Sequence, residues 1–451
     1  MNYTRFINGL SAARKPSPIR EMTKLLTQGS PDLVFLASGV PNPSMFPFQG
    51  ASVTLRDGST IQLEGKTIND ALQYGPTQGY GPLLAQLKEM QQKLHSPPCW
   101  TNTEVLITNG SQDGLCKAFE MMMNLNDHVI VQEPVYAGTL AILNPYKPQY
   151  VPVQCDANGL IPEELRRSLE SKWKSEDTQS SKSDVPKILY VNPAGANPTG
   201  VSIPLSRRKE IYQIAKDFDL IIFEDDPYYF LQFDKERTPS FLSLDTDGRV
   251  IRFDSLSKVL SSGIRLGYVT GPRELVEPIT YHMQVSVLHA SSLSQVLVSE
   301  LLKQWGQEGF LGHVDRVQKF YSQQREIMLK AAETHLTGLA EWNIPQGGMF
   351  LWIKCLEVSD TRPMIMDRAL KKDVILLPGR EFMTDPSQPC PYMRASFSLA
   401  SPENIDRVRG YFKKHRRYKI TEQQFKFESK EQTNNSLFLL LGIPQLGAAH
   451  T

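Results

Sequence analysis

Asp254-Ser255-Leu256-Ser257-Lys258-Val259-Leu260-Ser261-Ser262-Gly263-Ile264-Arg265-Leu266-Gly267-Tyr268 is the stretch that decides the fold of this 451-residue chain. A β-rich run, Val250 to Asp254, leads into it, so Lys258 stands just past a strand end. Hydroxyls lie one and three residues before the lysine, and Arg265 follows seven residues after it with glycine on both sides. An amine can form an imine with a carbonyl compound, while hydroxyls and a planar guanidinium can hold a phosphate dianion. The glycines let backbone come close to such a ligand. A lone Ser-x-Lys is common and carries nothing; the grouping gives it weight.

Working outward, four further β-rich runs stand at Glu104 to Thr108, His128 to Gln132, Lys187 to Val191 and Leu220 to Glu224. Each is separated from the next by enough residues for a crossover helix, which predicts an α/β fold on a mostly parallel sheet. Ligands in such sheets sit at the carboxyl ends of the strands, so polar strand ends are the places to read chemistry. Glu104 to Thr108 runs into Asn109-Gly110-Ser111-Gln112-Asp113-Gly114, with a helix expected through Asn124 and Ser111 near its N-cap. A glycine turn feeding a helix N-terminus suits a phosphate, although a plain cap uses the same residues. Leu220 to Glu224 ends in Asp225-Asp226-Pro227-Tyr228-Tyr229. A buried carboxylate needs a cationic partner, and the protonated pyridine nitrogen of pyridoxal phosphate (PLP) is one; Tyr228 is then in reach of the ring hydroxyl. A helix cap or turn is the other use of such an acid.

Asn197-Pro198-Thr199-Gly200 follows the run Lys187 to Val191. As a bare pattern it is a turn. Taken with Lys258, Asp225 and the lysine segment, it resembles the class I/II aminotransferases, PLP enzymes of fold type I. Within that family the chain, from Met1 to about Arg409, is similar to the kynurenine/2-aminoadipate branch. The shared stretches are Met1-Asn2-Tyr3, Pro16-Ser17-Pro18-Ile19-Arg20, Pro41-Asn42-Pro43, Met45-Phe46-Pro47-Phe48, Asp225 to Phe233, and Tyr392 to Ser398.

The resemblance implies a homodimer with active sites at the subunit interface, and transamination of 2-aminoadipate, kynurenine and other amino acids with 2-oxo acids such as 2-oxoglutarate. It assigns Lys258 as the covalent attachment point and general acid/base. Ser111, Gln112, Ser255, Ser257 and Arg265 match the phosphate cradle, and Tyr136 the residue stacked on the ring. Asn197 matches the contact to the ring hydroxyl, beside Tyr228, and Asp225 the partner of the ring nitrogen. Tyr74 matches a tyrosine lent across the dimer interface, and Arg394 the arginine that takes the substrate α-carboxylate through two parallel hydrogen bonds. Arg20 and Gly39 match an N-terminal segment that covers the substrate. Cofactor residues alone leave open a different fold type I reaction, such as β-elimination, or a catalytically impaired relative. Three departures stand out: a shortened link between His95 and Glu104, Pro193-Ala194-Gly195-Ala196 in place of an asparagine-rich stretch, and an atypical tail from about Gly410.

The rest of the sequence frames this reading. A Pro-rich arm and part of a small domain are expected over residues 1–50, a large PLP-binding domain over 51–300, a small α+β domain over 301–410, and an atypical tail over 411–451, with disorder expected past Lys419. The small domain is read from a helical stretch, Phe310 to His335, followed by β-like runs at Met349 to Ile353 and Tyr392 to Ser398. The Ser-, Lys- and Asp-rich segment Lys172 to Lys187 reads as an exposed loop. With 49 basic and 48 acidic residues the chain has no field for nucleic acid or an anionic membrane, so small molecules are the expected partners. Five cysteines with no CxxC pair indicate neither a disulfide framework nor a structural zinc site, and a reducing compartment fits. No apolar run approaches the ~20 residues that span a bilayer. Arg5, Arg14, Lys15 and Arg20 precede the first acid, Glu21, a composition compatible with a transit peptide to the mitochondrial matrix or with a basic arm on a cytoplasmic protein.

Overall fold

The computed structural model describes residues 1–19, 39–173, 185–372 and 374–407. Arg20, most of the segment Lys172 to Lys187, and the tail from Gly410 lie outside the described residues. Strands β1 (Ala51–Thr54) and β2 (Thr60–Leu63) form an antiparallel ribbon. A larger sheet follows, made of β3 (Thr103–Thr108), β4 (His128–Glu133), β5 (Gln149–Asp156), β6 (Gly159–Leu160), β7 (Ile188–Val191), β8 (Ile221–Asp225), β9 (Val250–Ser255) and β10 (Gly267–Pro272). Their spatial order is β3-β10-β9-β8-β7-β4-β5-β6. Strands β5, β4, β7, β8 and β9 are parallel, whereas β10 runs antiparallel to both β3 and β9.

The five runs read from the sequence are strands, with bounds shifted by one residue at most. The central ones are near-continuous apolar runs because helices cover both faces of a parallel sheet. On one face, Ile188, Tyr190, Ile221, Phe223, Ile251 and Phe253 pack against Leu115, Phe119 and Met122 of the helix Ser111–Met122 and Leu275, Ile279 and Met283 of the helix Arg273–Ser286. On the other, Leu189, Val191, Ile222 and Val250 meet Leu165 and Leu169 of the helix Pro162–Lys172 and Ile211, Ile214 and Ala215 of the helix Leu205–Asp217. Each such fully buried aliphatic or phenyl side chain stabilises by roughly 1.5–3 kcal/mol. The first residues are part of this packing: Phe6 is fully buried in the first cluster, and Asn8 Nδ2 donates to the carbonyls of Glu120 and Met123 at 2.7 and 2.8 Å.

A long helix, Ser292–Leu336, begins well before the expected Phe310, capped by Ser291, whose side chain accepts from Ser294 N–H. It breaks at Gly306, where φ is 63° and ψ −176°. Its far end, with Leu329, Ala332 and Leu336, covers a second sheet through Leu351, Ile353, Met393 and Ala395. That sheet is antiparallel, with β11 (Ala340–Trp342), β12 (Phe350–Cys355), β13 (Leu377–Pro378) and β14 (Tyr392–Ser396) in the order β11-β12-β14-β13. Among the described residues no helix is long and apolar enough to cross a membrane.

Candidate active site

Because β10 is reversed, its first residue lies beside the last residues of its neighbours: Gly267 pairs with Thr108 of β3 and Ser255 of β9. The turn before β10, which carries Arg265, therefore sits at the same sheet end as Ser111 and Lys258. A cavity of about 370 Å³ opens there, lined by Ser111, Gln112, Tyr136, Asn192, Asn197, Asp225, Tyr228, Ser255, Ser257, Lys258, Arg265, Phe350 and Arg394 among others.

One end of the cavity is built to receive an anion. Gly110, with φ 82°, turns β3 into the helix Ser111–Met122 and is itself the N-cap, so Ser111, expected near the cap, is the first helical residue. Amide N–H groups and the positive dipole end of that helix face the turn. Space there is tight. A Cβ on Gly267 would come 2.5 Å from Ser111 N, and one on Gly110 would meet Arg265 Nη2 at 2.5 Å. Arg265 adopts a left-handed backbone, φ 53°, and bridges two loops by donating to Asn109 O at 3.1 Å and Ser262 O at 3.3 Å. Its Nη1 also lies 3.5 Å from Ser257 Oγ, and Ser255 Oγ accepts from Ser257 N–H at 3.2 Å.

The middle of the cavity is set by Asp225, the last residue of β8 and completely buried. Tyr190 of β7 donates to its Oδ2 at 2.7 Å, while Oδ1 is buried with no hydrogen-bond partner among the described residues. Burial first, then the nearby Asp226 and Asp254, push the Asp225 carboxyl up to about 7. An unpaired buried carboxylate oxygen calls for a cationic donor. Lys258 lines the same cavity from a turn in which Leu260 N–H donates to Leu256 O at 2.8 Å. Burial, with Arg265 and Arg394 adding repulsion, lowers the Lys258 amine from its usual value and so favours the neutral, nucleophilic form. Tyr136 caps the helix Ala137–Leu143, and a Cβ on Gly138 would stand 2.5 Å from its ring. Burial and Asp225 raise its phenol.

At the remaining side Arg394, projecting from β14, donates from Nη1 to Asn197 Oδ1 at 2.8 Å. Its guanidinium carbon lies 4.3 Å from the centroid of Phe350 and 5.2 Å from that of Phe382. Nε is buried without a partner among the described residues, a donor left over for a planar carboxylate. Asn197 is fixed in turn by Asn192, whose Oδ1 accepts its N–H at 2.7 Å. The unusual Pro193-Ala194-Gly195-Ala196 segment has a steric reason: Gly195, φ 53°, passes so close to Gly347 and Gly348 that an added Cβ would lie 2.2 Å from Gly348 N.

Ser111, Gln112, Tyr136, Asn197, Asp225, Tyr228, Ser255, Ser257, Lys258, Arg265 and Arg394 are thus brought together. Tyr74 and Gly39 are not. Tyr74 is exposed with its ring edge-on to His289 at 6.1 Å, and Gly39 is exposed, a Cβ built on it meeting nothing within 4 Å among the described residues. Asn192, Tyr190 and Phe350 belong to the site and escape the sequence reading; only Asn192, a polar residue directly after β7, left a signal there.

This chain belongs to the class I and II aminotransferases, whose family pattern matches residues 55–412. It is 51% identical over 412 residues to the kynurenine/alpha-aminoadipate aminotransferase, mitochondrial, of Bos taurus, an alignment covering 90% of this chain and 97% of that protein. Among solved structures it resembles the aminotransferase Aro8 of Candida albicans, with a TM-score of 0.80 at 27% identity, over 92% of this chain and 98% of that one. The Pyrococcus horikoshii kynurenine aminotransferase, solved in complex with PMP, KYN and KYA, aligns with a TM-score of 0.70 at 29% identity, over 92% and 98%. The family implies PLP, and the residues fit it. An amine, an orphaned buried carboxylate oxygen and a helix N-terminus with an arginine are the groups that would hold its aldehyde, ring nitrogen and phosphate.

Proposed function

We propose that this aminotransferase holds PLP in the 370 Å³ cavity and moves the amino group of 2-aminoadipate, kynurenine and other amino acids onto 2-oxo acids such as 2-oxoglutarate. The observation that carries the cofactor assignment is the unpaired Oδ1 of Asp225, facing the same cavity as Lys258 and Arg394. The substrate class rests on the 51% identity to the bovine enzyme over nearly its whole length. PLP, when bound, supplies an aldehyde carbon and an electron-accepting pyridinium ring.

Lys258 would be the residue that holds the cofactor through its aldehyde, and as a free amine its Nζ would carry the proton to and from the substrate Cα. Its lowered basicity favours the free amine that such a transfer requires. Asp225 would keep the ring nitrogen protonated. The first-turn N–H groups at Ser111 and Gln112, the hydroxyls of Ser255 and Ser257, and Arg265 would hold the phosphate. Asn197 and Tyr228 would hold the ring hydroxyl, Tyr136 would lie against the ring, and Arg394 would take the substrate α-carboxylate. Arg20 and Gly39 act from the N-terminal segment, and Tyr74 completes the cavity of a partner subunit in a homodimer. The same reading keeps the division at residues 50, 300 and 410 and places the protein in mitochondria, as the bovine relative's name supports.

The test is a product assay on purified protein with 2-oxoglutarate as acceptor and a panel of amino donors. Transfer from 2-aminoadipate and kynurenine is expected. No transfer from either would overturn the substrate assignment, and transfer from neither these nor any other donor would overturn the catalytic one.

A further inference from the structure

Behind Asp225, on the opposite face of the sheet, lies a buried ionic cluster that the reaction just described does not use. Side chains alternate along β8 and β9, so Phe223 and Asp225 face one way while Glu224 and Arg252 face the other. Arg252 is completely buried in the middle of an otherwise apolar run, Val250-Ile251-Arg252-Phe253. Its guanidinium reaches three carboxylates: Nη1 lies 3.1 Å from Glu224 and 2.9 Å from Asp226, and Nε and Nη2 make a two-pronged contact with Asp254 at 3.0 and 2.8 Å. The Tyr229 ring closes one side, 4.9 Å from the guanidinium carbon.

The elements packed around it add one more cation. Arg208, from the helix Leu205–Asp217, stands 4.0 Å from Glu224. The helix Gly81–His95 supplies Gln91, which donates to Asp254 and to Tyr268 of β10, and His95, which burial and the two arginines keep neutral. Two cations therefore face three carboxylates. Isolated, such a cluster is poor value for stability, since desolvation offsets most of the attraction. Its position is what distinguishes it. Asp226 is the residue after Asp225, its N–H donates to Phe253 O at 3.0 Å, and Asp254 lies on the strand that leads to Lys258.

We propose that Arg252 is a positioning residue: it keeps the Asp225 carboxylate charged and aimed at the cofactor's ring nitrogen by balancing the carboxylates behind it. The proposal rests on the reading of Asp225 as that nitrogen's partner. The groups that face Asp225 are Tyr190 from β7, Tyr136, Tyr228, Lys258, Arg265 and Arg394 from the cavity side, and Asp226, Asp254 and Arg252 through the sheet. Among the strongest charged influences on it, Arg252 favours the ionised form, while Asp226 and Asp254 oppose it. Without Arg252, Asp225 sits in front of uncompensated negative charge, takes up a proton, and no longer attracts a cation.

The experiment loads the full-length protein with ¹⁵N-pyridine-labelled PLP and follows the ring-nitrogen resonance as a function of pH. Arg252→Gln should lower the pH at which the nitrogen loses its proton by about 1–3 units, the range expected when the opposite charge beside it, the Asp225 carboxylate, is neutralised. Asp254→Asn should move it the opposite way, and the double variant should return it toward wild type, because charge is rebalanced although the original contacts are not. Arg252→Lys should stay near wild type. Asp225→Asn is the reference. If it leaves the nitrogen protonated, the partner reading fails and this proposal with it. If Asp225→Asn removes the proton but Arg252→Gln does not, or the double variant is not restored, only the proposal is overturned. Should Arg252→Gln fail to fold, the Asp254→Asn shift decides alone: no shift, or a downward one, overturns it.

Discussion

Replacing Asp225 by Asn should stabilise the cofactor-free protein above neutral pH, although it removes a residue central to the site. Burial lifts this carboxyl from its ordinary 3.8 to about 7. A group raised in the folded state contributes stability that is fully present below its unfolded value and is lost as pH rises through the folded one. Unfolded chains lose the proton near 3.8, whereas folded ones hold it until about 7, so the penalty grows across that window and levels off above it. At 1.36 kcal/mol per pH unit it reaches on the order of 4 kcal/mol. Asparagine carries no charge to desolvate, but its buried amide lacks a partner, which costs about 1–3 kcal/mol. At pH 8 the variant apoprotein should therefore be more stable by about 1–3 kcal/mol, and at pH 5 equal to wild type or slightly weaker. Urea unfolding of PLP-free protein at both pH values measures this. Adding PLP should raise the wild-type midpoint more than the variant's, because only Asp225 can pair the ring cation. A variant no more stable at pH 8, or a pH-independent difference, would refute the reasoning.

Lys258→Ala should abolish amino transfer while PLP remains bound without a covalent link, because the anion end of the site is separate from the amine; near-normal turnover would contradict the assignment. Arg394→Ala should lower kcat/KM on the order of 100-fold or more, as two charged hydrogen bonds to the α-carboxylate are lost, with cofactor affinity little changed by equilibrium titration. Arg20→Ala should reduce kcat/KM for 2-aminoadipate more than for kynurenine or methionine, by about 1.5–3 kcal/mol, if that side chain meets the distal carboxylate. Equal losses across donors would remove Arg20 from substrate selection.

The residues that the sequence displays best are those packed into one contiguous stretch. Ser255, Ser257, Lys258 and Arg265 lie within eleven positions, and the strand before them is an apolar run that announces its own end. Asp225 is visible for the same reason, an acid at the close of Ile221-Ile222-Phe223. What stays hidden is non-local. Tyr190 reads as one more core aromatic until β7 and β8 pair and bring its hydroxyl to Asp225. Phe350 reads as part of an ordinary strand until β14 lays Arg394 across its ring. Strand β10 is masked by Gly267, Gly271 and Pro272, which read as turn formers, and β5 by Pro152. Tertiary packing overrides those local preferences.

The reversed strand also makes the anion end of the site depend on register. With Gly267 set opposite Thr108 and Ser255, no side chain intrudes on Ser111 N–H. A slip of one residue in either direction would put Leu266 or Tyr268 at that spot and turn every side chain of β10 to the wrong face. Such a sheet could keep most of its backbone hydrogen bonds and its bulk spectroscopic signature, yet its anion socket would be plugged. Molecules that cannot take up PLP after synthesis would then include the mis-threaded ones, and ligand uptake would sort correctly woven chains from those that merely collapsed.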